Sequence, residues 1–349
     1  MKKSIRFLTA VLPVMLMLSG CGLQDKNENI KAGMTAIEAL DYDGALESFA
    51  AAREAGEDER LLVRGEGIAY MGKTEYEAAV NSFVTALSLS DGRVGSMDYD
   101  MNYYLATAYY KQGMAEEAIE VYNAIIAMKP EERDAYYLRG VIETETGKTD
   151  VALADFDRTI SLNERDYDRL IDIYCVLNTN GYGESGKTYL QNAMESGTRY
   201  MTNFEKGRIS YYLEDYENAR TYLDKAKEEE GSDAVLFLGK THEVLGDYNY
   251  AVSVYNTFLT ESGEQSPEIL NQMGLCKLQM KDYEGALTAF QQAMNIEDNG
   301  MMQTLKMNEI VACERLQQYK QAATLMSSYL KSYPDDETAK REYEFLKTR

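Results

Sequence analysis

A small residue returns nine times at nearly even spacing along this chain. The positions are Ala45, Ala79, Ala118, Ala152, Gly186, Ala219, Ala251, Ala286 and Ala322, separated by 34, 39, 34, 34, 33, 32, 35 and 36 residues. A unit of that length cannot close a core on its own. It buries its apolar face against its neighbours, so the chain is expected to fold as a stack of units. Such stacks present long surfaces, which makes recognition the expected job and catalysis the unexpected one.

Other positions keep the same frame. Four residues after the anchor stand Phe49, Phe83, Tyr122, Phe156, Leu190, Leu223, Tyr255, Phe290 and Met326, and seven after it Ala52, Ala86, Ile125, Thr159, Ala193, Ala226, Phe258, Ala293 and Tyr329. Offsets of four and seven place these side chains on one face of a helix. Twelve residues before the anchor is a second small site, with Gly33, Gly67, Ala106, Gly140, Gly207, Gly239 and Gly274. Glycine inside a helix costs roughly 1 kcal/mol relative to alanine, so its repeated use predicts a side chain of the neighbouring helix lying on bare backbone. Gly113, Gly147, Gly181 and Gly246 mark the turn between two helices, and Pro130 and Pro334 mark where a pair ends.

On these residues the chain resembles the tetratricopeptide repeat family. The clearest copy is Tyr99–Glu132, with Leu105, Ala106, Tyr109, Gly113, Ala118, Tyr122 and Pro130 in the family's slots. The resemblance implies an all-α fold, a right-handed superhelical solenoid of about nine helix-turn-helix repeats over residues 26–336. The repeats would start near 26, 60, 99, 133, 167, 200, 232, 267 and 303, with a capping helix over 336–349 behind Asp336. The fifth copy departs from the pattern, with Tyr174 in the first small slot and Gly186 in the second, so distorted packing and a flex point are expected there. Five extra residues lengthen the second interval around Ser88–Asp98.

The first residues carry a different signal. Lys2, Lys3 and Arg6 precede an apolar run, Phe7–Leu18, too short for a membrane span, and Leu18-Ser19-Gly20-Cys21 follows. The pattern resembles a bacterial lipoprotein signal peptide over residues 1–20. That resemblance implies cleavage before Cys21, a diacylglyceryl group on its thiol, and a tether over 21–29 on the extracytoplasmic face of a membrane; two or more acyl chains anchor a protein stably. Loss of the three basic residues would take the formal charge from −22 to about −25.

That acidic balance speaks against nucleic acid, whose phosphates call for clustered Lys and Arg, and favours a protein or peptide partner, of basic character if charge decides. Four prolines and no Ser/Gly-rich stretch leave no evident linker. No residue set points to catalysis, a metal or a cofactor. The sole histidine, His242, occupies a helical packing slot, and Gly181-Tyr182-Gly183-Glu184-Ser185-Gly186 reads as the fifth repeat's turn rather than a phosphate loop. Cys175, Cys276 and Cys313 fall on first helices as small packing residues.

In the family, the ligand-facing slots lie on the first helix of each repeat. Carried onto this chain, they give a candidate groove of Arg64, Met71, Tyr103, Tyr110, Lys111, Tyr137, Phe204, Arg208, Tyr211 and Lys240. Tyr and Arg combine contact area with hydrogen bonding. The carboxylate clamp of chaperone-binding members is absent from every consecutive triple. The expected function is thus a membrane-anchored, non-catalytic scaffold for a protein segment. The alternative is an extracytoplasmic glycan or small-ligand binder that stacks its ligand on Tyr103, Tyr110 or Tyr137; the absence of Trp weakens it.

Overall fold

The computed structural model describes residues 26–297 and 299–349, so Cys21 and the leader lie outside the described residues. Among these the regular structure is helical: nineteen α-helices and one short 3-10 turn, with no strand. The helices come as nine antiparallel pairs and a last single helix. In chain order they are α1 Glu28–Glu38, α2 Tyr42–Glu54, α3 Glu59–Gly72, α4 Tyr76–Ser88, α5 Ser96–Lys111, α6 Ala115–Met128, α7 Arg133–Glu145 and α8 Thr149–Leu162. The second series is α9 Tyr167–Thr179, α10 Gly183–Gly197, α11 Asn203–Tyr212, α12 Tyr216–Ala226, α13 Gly231–Val244, α14 Tyr248–Glu261, α15 Pro267–Gln279, α16 Tyr283–Met294, α17 Met302–Arg315, α18 Tyr319–Ser332 and α19 Glu337–Leu346. The chain divides into two compact units, one ending at Leu162 and one running from Asn163 to Arg349. Within each unit a first helix packs on its own second helix and on the second helix of the pair before it.

The nine anchors are all buried, and the aromatic or aliphatic residue four places on is at most 2% exposed in every pair. The glycine of the first helix faces that residue directly. A Cβ built on Gly33 would lie 2.5 Å from the Phe49 ring, on Gly67 2.7 Å from Phe83, on Gly140 2.7 Å from Phe156 and on Gly274 2.4 Å from Phe290. Phe49 is squeezed from both sides, because a Cβ on Gly65 of the next pair would come within 2.4 Å of the same ring. The ring fills the volume that two side chains would otherwise need, which is how the helices approach closely with no void.

The fifth pair keeps this close approach with the roles exchanged. Tyr174 of α9 is 7% exposed and lies against Gly186 of α10, where a Cβ would meet the Tyr174 ring at 3.1 Å and its Cα at 3.2 Å. Both helices are full length, and Ile173, Leu177 and Leu190 are wholly buried. The departure from pattern is therefore a compensated exchange of large for small, not the expected distortion.

One device closes all nine pairs. The residues linking first to second helix include one in the left-handed region, namely Leu40, Thr74, Gly113, Gly147, Gly181, Glu214, Gly246, Lys281 and Gln317, with φ between 59° and 91°. The amide that follows each one donates to the carbonyl five residues back, as in Asp41 N to Ala36 O at 2.8 Å and Asp282 N to Lys277 O at 2.9 Å. This is the Schellman closure. Where the next residue is aspartate, it also caps the second helix: Asp41, Asp215, Asp247 and Asp282 accept from the amides of Gly44, Asn218, Tyr250 and Gly285. Side chains at the left-handed position are strained by about 1 kcal/mol or more. Lys281→Gly and Glu214→Gly should each raise stability by about 0.5–1 kcal/mol, read as a higher urea midpoint; a lower midpoint would mean that those side chains carry contacts worth more than the strain.

Candidate functional site

In the first unit the predicted groove residues sit on α3, α5 and α7, and several are tied into the fold. Arg64 pairs with Asp100 of α5 through both Nε, at 3.0 Å, and a terminal nitrogen. One turn earlier Arg60 bonds the Ala86 carbonyl at 3.1 Å and pairs with Asp98, which also accepts from the Gly95 amide at 2.8 Å. The two arginines thus clasp the end of α4 to the start of α5, across the extra residues of the second interval. Met71 packs on the buried cluster of Phe49, Leu62 and Phe83. Tyr103 is edge-on to Tyr122 at 6.0 Å, and Tyr137 lies against Phe156 at 6.2 Å. Burial, with Glu132 and Asp134 nearby, holds the Tyr103 hydroxyl well above the usual phenol range. Tyr110 donates to the Glu145 carboxylate of α7, while Lys111 stays exposed with its ammonium 5.7 Å from the Tyr110 ring.

The second unit brings four predicted residues, Phe204, Arg208, Tyr211 and Lys240, into one cluster, whose centre is the ring of Phe237 on α13. Phe204 stands edge-on to it at 6.2 Å, Tyr211 at 5.6 Å and Tyr212 at 6.0 Å, and Tyr212 reaches Tyr174 of α9 at 5.4 Å. Arg208 lies 5.5 Å from the Phe237 centroid and 5.1 Å from that of Phe204, and Lys240 lies 5.5 Å from Phe237. These rings are half-buried. Phe204, Tyr211 and Phe237 rest on the core of Ala219, Leu223 and Leu238. Burial pushes the Tyr212 hydroxyl up to about 12 and lowers the Lys240 ammonium. Further along, Asn308 of α17 donates to Asn271 of α15 at 2.8 Å, and Gln272 donates to Glu243 of α13 at 3.3 Å. Successive first helices therefore carry aromatic rings, two cations and then side-chain amides.

Sequence reasoning missed Phe237 because its slot, one after Leu236, is a packing slot in the repeat. The only signal for it is its spacing of three from Lys240, which puts the two on one helical face. Elsewhere, His242 is 5% exposed and stacked on Tyr250 at 4.1 Å, and burial lowers its pKa. Cys276 and Cys313 are buried thiols, the latter pushed up to about 11 by burial, whereas Cys175 is exposed on α9. Among the described residues no group of three or more acidic, Cys or His side chains is placed to hold a metal, and no helix is long and apolar enough to cross a membrane.

Glu143 on α7 is the buried acid with a clear response to pH. It is 4% exposed, and burial, with the Asp155 charge added, raises its pKa to about 7. Arg139 pulls the other way but is held by both Asp155 oxygens at 2.6 Å. A folded carboxyl that binds its proton more tightly than the unfolded one loses stability as pH rises from about 4.5 to about 7. Glu143→Gln should therefore stabilise by on the order of 1–3 kcal/mol at pH 8 and progressively less towards pH 5, checked by denaturation at both pH values. An equal effect at both would place the carboxyl in an ordinary environment.

Comparison with known proteins agrees with this architecture. Tetratricopeptide repeat models match residues 64–132 and 103–166, and 202–233 and 267–299. A TPR repeat-containing protein of Methanocaldococcus jannaschii is 25% identical over 206 residues, 55% of this chain; the match spans only 35% of that relative's length. Among solved structures, yeast Tom70 aligns over 92% of this chain and 87% of its own with a TM-score of 0.50 and 14% identity. A tetratricopeptide repeat protein from Parabacteroides merdae aligns over 82% and 99% with a TM-score of 0.46 and 19% identity.

Proposed function

Because the chain is a tetratricopeptide-repeat protein, we propose that it is a non-catalytic scaffold that holds a segment of another protein along its first helices. The observation that carries the proposal is the cluster around Phe237, where half-buried aromatic rings from α11 and α13 meet two cations. Aromatic residues and arginine of this kind serve as anchors at protein interfaces, and the half-buried amides of Gln272 and Asn308 beyond them suit the main chain of an extended segment. The glycan reading has less support, because the rings it needs in the first unit are engaged by Tyr122, Glu145 and Phe156.

We further infer that the scaffold is carried on the outer face of a bacterial membrane by lipid on Cys21. Support comes from the basic start, the short apolar run and the small residues before the cysteine. In bacterial cells fed a radioactive or alkyne-tagged fatty acid, the natural chain should take up label and lose its leader, and Cys21→Ala should do neither. Label retained by Cys21→Ala would contradict the anchor. For the scaffold itself, Phe237→Ala should weaken binding of the natural partner at least tenfold, since truncation of an aromatic anchor costs about 2 kcal/mol or more. Undiminished binding would move the site elsewhere.

A further inference from the structure

The whole chain is strongly acidic, with a formal charge of −22, yet its aromatic cluster is arranged for an anion. Lys240 is half-buried, and its ammonium has no hydrogen bond or ion pair to any described residue. Two carboxylates act on it through their charge alone: Glu243 is already engaged by the Tyr255 hydroxyl at 2.6 Å and the Gln272 amide at 3.3 Å, and Glu268 of α15 accepts from the Ser266 hydroxyl at 3.2 Å. A charge withdrawn from water without an acceptor is costly, which is why burial lowers the Lys240 pKa. The second cation, Arg208, is paired with Asp168, whose side chain is 77% exposed. The Arg208 side chain itself is 18% exposed, and its Nε is buried with no hydrogen-bond partner, so the arginine keeps a donor that the Asp168 pair leaves unused. Both cations lie 5.5 Å from the centre of the same Phe237 ring.

We propose that the cluster around the Phe237 ring receives an acidic side chain from within the partner segment, its carboxylate bound by Lys240 and Arg208 and the residue beside it packed on Phe204 and Phe237. This rests on the scaffold reading above and assigns its partner a local character opposite to the one that net charge favours. Arrival of the carboxylate gives the Lys240 ammonium its missing acceptor, and the apolar neighbour covers ring surface now exposed to water. A neutral amide of the same shape supplies the packing without the charge, so the preference for acid over amide isolates the two cations.

The test uses the whole chain and an array of nonapeptides, acetylated and amidated at their ends. The central residue is Glu, Gln or Lys, and the flanking positions vary over apolar, aromatic and polar residues. A further arm carries central Gln with a free carboxyl terminus, to separate a side-chain acid from a terminal one. Central Glu should bind about tenfold or more above central Gln, as expected for a charge-assisted contact. Lys240→Met should bring Glu down to the level of Gln, and Lys240→Glu should turn the preference towards central Lys. Equal binding of Glu and Gln, abolished by Phe237→Ala, would overturn the acid assignment and leave the scaffold reading standing. Binding only of the free-terminus arm would also overturn it, in favour of a terminal carboxylate. Absence of binding to every peptide would count against both readings.

Discussion

Gly274→Ala should destabilise the protein by about 1–3 kcal/mol, although alanine is the better helix former. Helix propensity alone gives the opposite sign, a gain of about 1 kcal/mol. The new methyl group, however, would be placed 2.4 Å from the Phe290 ring, and both residues are buried. Overpacking of a filled core forces side chains off their rotamers or the helices apart, at about 1–3 kcal/mol. The third pair indicates which response is available, for there Ala106 and Tyr122 occupy the equivalent positions and both are buried. The sign should reverse in a background that lacks the ring: with Phe290→Ala already present, adding Gly274→Ala should stabilise. A chemical-denaturation cycle over the four proteins checks this, and a stabilising effect in the natural background would mean that the ring does not set the approach of α15 and α16.

Asp98→Ala should cost about 2–4 kcal/mol, the larger loss of any single charge removal in the first unit's clasp. Asp98 is 7% exposed, pairs with Arg60 and accepts from the Gly95 amide. Its removal leaves a largely buried guanidinium without its carboxylate and the start of α5 without an acceptor. Asp100 is more exposed than Asp98, 31% against 10% for the side chain, although its partner Arg64 is the more buried arginine, at 13% against 23% for Arg60; it serves no helix start, so Asp100→Ala should cost less, about 1–2 kcal/mol. Amide hydrogen exchange locates the effect: protection should fall first in α5 and at the end of α4. Equal losses for the two aspartates would show that burial is not what distinguishes them.

The helix pairs and their packing faces were legible in the sequence because the period repeats the same physical requirement, a small residue opposite a large one. Gly33, Gly140 and Gly274 meet the rings that their spacing assigns to them. Three features were not legible. Five turns use Leu40, Thr74, Glu214, Lys281 and Gln317 where glycine would be read, since the Schellman hydrogen bonds hold a side chain in a conformation it disfavours locally. Tyr174 puts a large ring in a slot that is small elsewhere, and Gly186, smaller still than the usual alanine, receives it, a compensation that the spacing does not reveal. Arg64 falls in a ligand-facing slot, yet Asp100, 36 residues on, engages it. Spacing places a residue on a face without telling whether another side chain already occupies it. The Phe237 cluster was half visible for the same reason: Phe204, Arg208, Tyr211 and Lys240 stand in the expected slots, while the ring that joins them stands in a slot assigned to packing.

The most direct measurement is photo-crosslinking from the first-helix face of the second unit, in cells that make the protein naturally. A photoreactive phenylalanine at Leu236, beside the Phe237 ring on α13, should form a covalent adduct with a discrete protein, and that adduct should disappear when Phe237→Ala is added. The same probe at Tyr250, 43% exposed on the second helix α14, should form none. Adducts from Tyr250 and not from Leu236, or a Leu236 adduct indifferent to Phe237→Ala, would contradict recognition along the first helices.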